Sequence, residues 1–229
     1  MMFRVAAATL SGLVMLIGMP AKAQLPPGFV DLTEVAPSVV VDLRYATDDN
    51  FVGQPVDGYD GSRCVTTSEV AAALSRVQKE LARFHLGLKV FDAYRPQRAV
   101  DHFVRWSQDA SDQRTKEAYY PNLDKRDLIS KGYIAARSSH SRGSAVDLTI
   151  VSFANGQAGD ELDMGTAFDF FGRESWVDSP KVTAQQRANR MLLRQVMTKH
   201  GFRPYDKEWW HFSLVDEPFP KTYFDFPVE

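Results

Sequence analysis

Apolar residues recur along the chain in two rhythms, and the change from one rhythm to the other marks out the elements. After Thr66, the residues Val70, Ala73, Leu74, Val77, Leu81 and Phe84 return every three to four positions, which predicts an amphipathic helix. Thr66 and Glu69 stand at capping-box spacing, and Gly87 supplies a stop. Leu88 to Phe91 reads as a buried strand running into Asp92-Ala93-Tyr94-Arg95-Pro96, where the proline turns the chain and opens a helix through about Trp106. A polar loop to Asn122 and an irregular stretch to Arg137 follow. The last helix starts at Thr183 with Gln186 at the capping-box position, carries Ala188, Met191, Leu192 and Val196 on one side, and ends before Gly201.

Between these helices the period falls to two. From Ala145 to Ile150, Val146, Leu148 and Ile150 point one way while Ala145, Asp147 and Thr149 point the other, so Asp147 faces away from the packed side. Trp209 to Leu214 alternates likewise, with His211 and Ser213 opposite Trp210, Phe212 and Leu214. The two runs can pair in one sheet. Helices and strands come in blocks without βαβ alternation, which favours an α+β class with a mainly antiparallel central sheet flanked by helices.

Composition adds the compartment. Residues 1–23 read as a signal peptide, with Arg4 as the positive region, an apolar run from Val5 to Ile17 and Ala21-Lys22-Ala23 as the cleavage site. Gly18 and Pro20 cut the run short of the ~20 residues a membrane span needs, so no stable membrane insertion is expected after cleavage. The destination is export, to the periplasm. Residues 24–229 show no repeat, linker or low-complexity tract and form one domain, and 44% apolar with 12% aromatic residues allows one substantial core. The single cysteine, Cys64, excludes an internal disulfide. Loss of Arg4 and Lys22 takes the formal net charge from −2 to near −4, which gives no reason to expect a nucleic-acid partner.

Two stretches carry the candidate chemistry. Ser138-Ser139-His140-Ser141-Arg142-Gly143-Ser144-Ala145-Val146-Asp147 and Glu208-Trp209-Trp210-His211 supply two imidazoles, a metal-binding carboxylate and a spare glutamate. His140, Asp147 and His211 match the three protein ligands of a hydrolytic zinc ion, one per chain, with a fourth position for water. Ser141, Gly143 and Ser144 let the backbone bend enough to bring His140 round to Asp147. Glu208 is then free to move protons, and it must sit in the turn before the strand, because residues three apart on a flat strand do not share a face. Arg95, at a strand-to-helix junction, is a candidate donor to an oxyanion; its alternative is a structural pairing with Asp92 or a helix cap. His85, His102 and His200 have structural roles near helices. A serine nucleophile fits poorly, since neither a GxSxG elbow nor an SxxK motif occurs.

The strings SSHSRGSAVDLT, EWWHF, DAYRPQRAV and the closing DEPFPKTYFDFPVE resemble the VanX-type D-alanyl-D-alanine dipeptidases, as do RYATDDNFVGQPVDGY and SKGYIAARSSH. The likeness runs from about Asp31 onward. It implies zinc held by His140, Asp147 and His211, Glu208 as general base and then acid, and Arg95 against the tetrahedral intermediate. It also implies the α+β fold shared by zinc D,D-carboxypeptidases and the hedgehog amino-terminal domain. A dipeptidase must meet a free ammonium with oxygens and exclude long peptides. The resemblance assigns the ammonium to Asp169, with Tyr59 near the same end through its backbone, and the substrate carboxylate to Ser138 and Tyr45. The partners implied are D-Ala-D-Ala and related small dipeptides, and an oligomer is compatible with the sequence. Export separates this chain from the resistance members, which act on cytosolic dipeptide, and implies wall-dipeptide salvage or turnover. Two other readings stand beside this one. A zinc D,D-carboxypeptidase would trim longer wall peptides, and a non-catalytic zinc interaction domain would have no use for Glu208 and Arg95.

Overall fold

A computed structural model describes residues 24–154 and 156–229; the leader assigned to residues 1–23 lies outside them. In chain order the elements are β1 (Phe29–Asp31), α1 (Leu32–Val35), β2 (Val40–Val41), β3 (Val65–Thr67), α2 (Ser68–Ala82), β4 (Leu86–Asp92), α3 (Gln97–Gln108), α4 (Lys116–Tyr119), β5 (Ala145–Ala154), β6 (Gln157–Glu161), α5 (Ala184–Lys199), β7 (Phe202–Tyr205) and β8 (Glu208–Leu214). Strands β1 and β3 form a separate antiparallel pair. The main sheet runs β2-β4-β5-β8-β7, with β6 joined to the far end of β5. Every pairing in it is antiparallel except β2 with β4, so the α+β expectation holds with a mixed sheet. Among the described residues no helix is long and apolar enough to cross a membrane.

β5 is the spine of the sheet, and its alternation has the predicted sense. Val146, Leu148 and Ile150 lie in rows with Phe212, Val90 and Leu88, and helices α2 and α5 pack against the sheet through β4, β7 and β8. The opposite face is not open to solvent, since Asp147 and Thr149 are also buried. Helix α3 and aromatic-rich loops cover it, with Phe51, Phe103 and Phe171 meeting Tyr45 and Trp106 in edge-on and tilted contacts. Burial on both faces therefore hides the half-exposed pattern that alternation suggests.

Three details depart from the sequence reading. The cap of α2 is Thr67, not Thr66, and no side chain closes it; the Thr66 hydroxyl donates instead to the Thr67 carbonyl. Helix α2 stops at Ala82, the chain reverses through His85 at φ 57°, and Phe84 projects outward with 66% of its surface exposed. Gly87 lies inside β4 and not at the helix end, where a Cβ would fall 2.4 Å from the Phe153 ring.

The capping box of α5 forms as predicted, with Thr183 and Gln186 bonding reciprocally. Its buried stripe is Arg190, Leu193, Val196 and Met197, whereas Met191 and Leu192 are 54% and 41% exposed. The stripe is displaced because Arg190 occupies an inward position that hydrophobic spacing assigns to an apolar residue. Its guanidinium is buried by donating to the carbonyls of Met164, Glu174 and Trp176.

Leu148 is fully buried at the centre of this sheet. Leu148→Ala is expected to lower unfolding stability by about 2–5 kcal/mol, measured by urea denaturation.

Candidate active site

The site grows from one row of the sheet. Asp92 of β4 lies opposite Asp147 of β5, and Asp147 lies opposite His211 of β8, so three polar side chains share one face at one level. The row exists because β4 bulges between Val90 and Asp92; an unbroken register would have set Phe91 against Asp147. His140 reaches the row from a 3-10 turn, His140–Arg142, that precedes β5. Gly143 closes that turn at φ 71°, and any Cβ there would stand 2.5 Å from the Phe29 ring, so the bend expected of the serine and glycine stretch requires glycine at this position.

The histidine tautomers follow from their partners. His140 Nδ1 lies 2.6 Å from the Ala93 carbonyl, which can only accept, so Nε2 carries the lone pair. That Nε2 is 3.2 Å from His211 Nδ1 and 3.3 Å from Asp147 Oδ1, and His211 Nδ1 is 3.0 Å from the same oxygen. His211 Nε2 turns the other way, to Ser213 Oγ at 3.3 Å, and Ser213 meets Ser139 Oγ at 3.0 Å. One ligating atom from each of His140, Asp147 and His211 falls within 4.8 Å of the others. Lone pairs that converge in a buried place need protons or a cation between them, and this nitrogen and oxygen set suits zinc. Burial pushes the Asp147 carboxyl up, but the two imidazoles outweigh it and hold it well below the usual carboxylate range.

Arg95 combines the two roles considered for it. Its Nε and Nη2 bind Asp92 at 2.9 and 2.8 Å, the structural pairing, while Nη2 also reaches Asp147 Oδ2 at 3.2 Å and the side chain lines the cavity. Its guanidinium stacks 4.9 Å from the Tyr45 ring and 5.1 Å from Phe103. Glu208 is the first residue of β8 and not part of the preceding turn. It still shares the cavity with His211, because the β7 to β8 register jumps between Pro204 and Tyr205 and breaks the alternation. Burial first, and the charges of Asp147 and Asp169 second, hold its carboxyl well above the usual range; a divalent cation in the ring would oppose that shift.

The cavity holds about 290 Å³ and is also lined by Asp169, Tyr45 and Ser138. Asp169 sits at φ 61°, accepts a 2.8 Å bond from the Tyr45 hydroxyl, and is held well above the ordinary carboxylate range by burial and by Asp147. Tyr45 thus pairs with Asp169 inside the cavity that Ser138 also lines. Ser138 lies at the edge, its Oγ accepting from the His140 amide at 3.2 Å. Tyr59 is not among the residues lining the cavity; its backbone amide donates to the Val56 carbonyl, and its hydroxyl donates to Asp92 at 2.5 Å.

Residues 26–229 match the peptidase family model described as D-Ala-D-Ala dipeptidase. The chain belongs to this D-Ala-D-Ala dipeptidase family. A D-alanyl-D-alanine dipeptidase of Enterococcus faecium is 45% identical over 88% of this chain and 98% of its own length. That of Streptomyces coelicolor is 46% identical over 87% and 96%, and that of Escherichia coli 32% identical over 81% and 83%. A solved variant of the vancomycin-resistance D,D-pentapeptidase VanY with Zn(II) covers 70% of this chain and 78% of its own, at 13% identity and a TM-score of 0.39, too slight a likeness to bear on this chain. Membership of the dipeptidase family makes the chain an enzyme, which sets aside a purely structural zinc domain.

Sequence reasoning treated Asp92 only as a partner for Arg95, yet it joins Tyr59, Arg95 and, at 3.3 Å, His140 Nδ1. It went unnoticed because acids at strand ends are common; the sequence signal was its place in Asp92-Ala93-Tyr94-Arg95, beside the carbonyl that fixes His140. Arg137, Tyr133 and Tyr205 also line this dipeptidase-family cavity without having been singled out. Asp92→Asn keeps the shape but weakens the charge behind His140 and Arg95. It is expected to reduce metal affinity by about 10- to 100-fold in a chelator competition, with the fold retained.

Proposed function

We propose that this chain hydrolyses D-Ala-D-Ala to two D-alanines outside the inner membrane, using one zinc ion held by His140, Asp147 and His211. The observation that carries the reading is the meeting of those three ligating atoms with Glu208 and Arg95 in one small cavity. Zinc bound there would supply a Lewis acid and a water acidified towards neutrality. Glu208, whose surroundings raise its affinity for a proton, accepts the proton of the attacking water and delivers it to the leaving amine. Arg95, fixed by Asp92 and by the rings of Tyr45 and Phe103, presents its guanidinium to the developing oxyanion.

Asp169 receives the substrate ammonium: Tyr45 occupies one of its oxygens and the other can accept from the substrate. Ser138 serves the carboxylate end. A volume of about 290 Å³ is at the lower limit for ligand pockets, which suits a dipeptide and disfavours a wall pentapeptide. The leader-like residues 1–23 lie before the family match and support export, with the dipeptide taken from wall turnover or salvage.

Turnover of D-Ala-D-Ala is expected to exceed that of L-Ala-L-Ala, to vanish on chelation and to return with zinc. Release of D-alanine from a wall pentapeptide at comparable efficiency would reverse the assignment in favour of a carboxypeptidase. Glu208→Ala is expected to keep its metal and lose about 10²- to 10⁴-fold in kcat; unchanged hydrolysis would remove Glu208 as the base. Cell fractionation should find mature protein beginning at Gln24 outside the cytosol, and a wholly cytosolic protein with its amino terminus intact would overturn the export reading.

A further inference from the structure

Two guanidiniums and three carboxylates line the cavity, and they differ in how far they are already matched. Arg95 is paired with both Asp92 and Asp147. Arg137 stands exposed beside Ser138, and among the described residues no carboxylate pairs with it and no hydrogen bond holds its side chain. What fixes it is an aromatic ring. The Arg137 Cζ lies 4.9 Å from the centre of Tyr223, a stacking distance for a guanidinium.

Tyr223 is itself tightly held. Its hydroxyl accepts from Arg142 Nη1 at 3.2 Å, and Arg142 grips Glu217 with two bonds of 2.5 and 2.8 Å. The next residue, Phe224, donates its amide to the Ser141 carbonyl at 2.8 Å, inside the turn that carries His140. The segment from Glu217 to Phe224 is thereby fastened to the candidate metal turn and supplies a platform on which the Arg137 fork is oriented with its N–H groups free.

We propose that Arg137 binds the terminal carboxylate of the dipeptide, beside Ser138 and on the Tyr223 platform; this rests on the dipeptidase reading above. A free dipeptide brings one ammonium and one carboxylate. Asp169 is an acid in the cavity with no basic side chain paired to it among the described residues, which suits the ammonium. The carboxylate needs a cation that is not already neutralised, and among the described residues Arg137 is the one lining the cavity. Guanidinium and carboxylate match in planar, two-bond geometry, so the contact selects for a free C-terminus. Because Arg137 is exposed and carries no internal pairing, its loss should leave folding intact.

The test compares D-Ala-D-Ala with its C-terminal amide, which presents the same scissile bond without the charge. Arg137→Gln is expected to lower kcat/KM for the acid about tenfold, through KM, and to leave kcat/KM for the amide unchanged. Arg137→Lys should retain part of the preference for the acid. Tyr223→Leu, which removes the platform, should shift the acid in the same direction by a smaller factor. Equal losses on acid and amide, or no loss on the acid, would overturn the assignment while leaving the dipeptidase reading in place. Wild-type enzyme inert towards D-Ala-D-Ala would remove both.

Discussion

The row Asp92, Asp147 and His211 is the constraint around which the candidate centre is organised. Sheet register alone places these three side chains at one level on one face, and two irregularities make the register useful. The bulge in β4 brings in Asp92 instead of Phe91, and the jump between β7 and β8 frees Glu208 to share a cavity with His211. A sheet without either would keep Asp147 and His211 together and lose the groups around them. Packing around the sheet buries Asp92 and Asp147 and leaves His211 half-buried at the cavity.

Burial and neighbouring charge together explain the electrostatics. Asp92, Asp147, Asp169 and Glu208 bring negative charge into little space, and Arg95 answers only part of it. Burial and mutual repulsion accordingly raise Asp169 and Glu208, while Asp147, between two imidazoles, moves the other way. Such a set of acids is costly without a cation, whether a metal ion, a substrate ammonium or both. The arrangement resembles a receptacle for positive charge with one cationic edge, where Arg137 stands.

The meeting of His140, Asp147 and His211 was legible because alternation put Asp147 and His211 on facing strands and a serine- and glycine-rich turn leads from His140 into the first of them. The capping box of α5 was legible for a similar reason, since it depends on two residues three apart. What escaped was non-local. The position of Glu208 depends on a register jump set by a neighbouring strand, and the role of Asp92 depends on a bulge beside it. The inward face of α5 was misread because buried Arg190 finds its carbonyl partners in a distant loop. The Tyr59 hydroxyl bond to Asp92 was equally out of reach of the sequence, because it joins residues 33 positions apart.

The segment after β8 has a further consequence. Tyr223 and Phe224 brace the turn of His140, Phe226 stacks 4.1 Å from Tyr94, and Val228 exchanges backbone bonds with Gly58 and Asp60. Tyr94 directly precedes Arg95, and Asp60 directly follows Tyr59. The tail is thus a clasp that ties the loop before β3, the segment after β4 and the turn before β5 together. A chain cut short after β8 would keep His140, Asp147 and His211 but lose the Tyr223 and Phe224 contacts that brace the His140 turn.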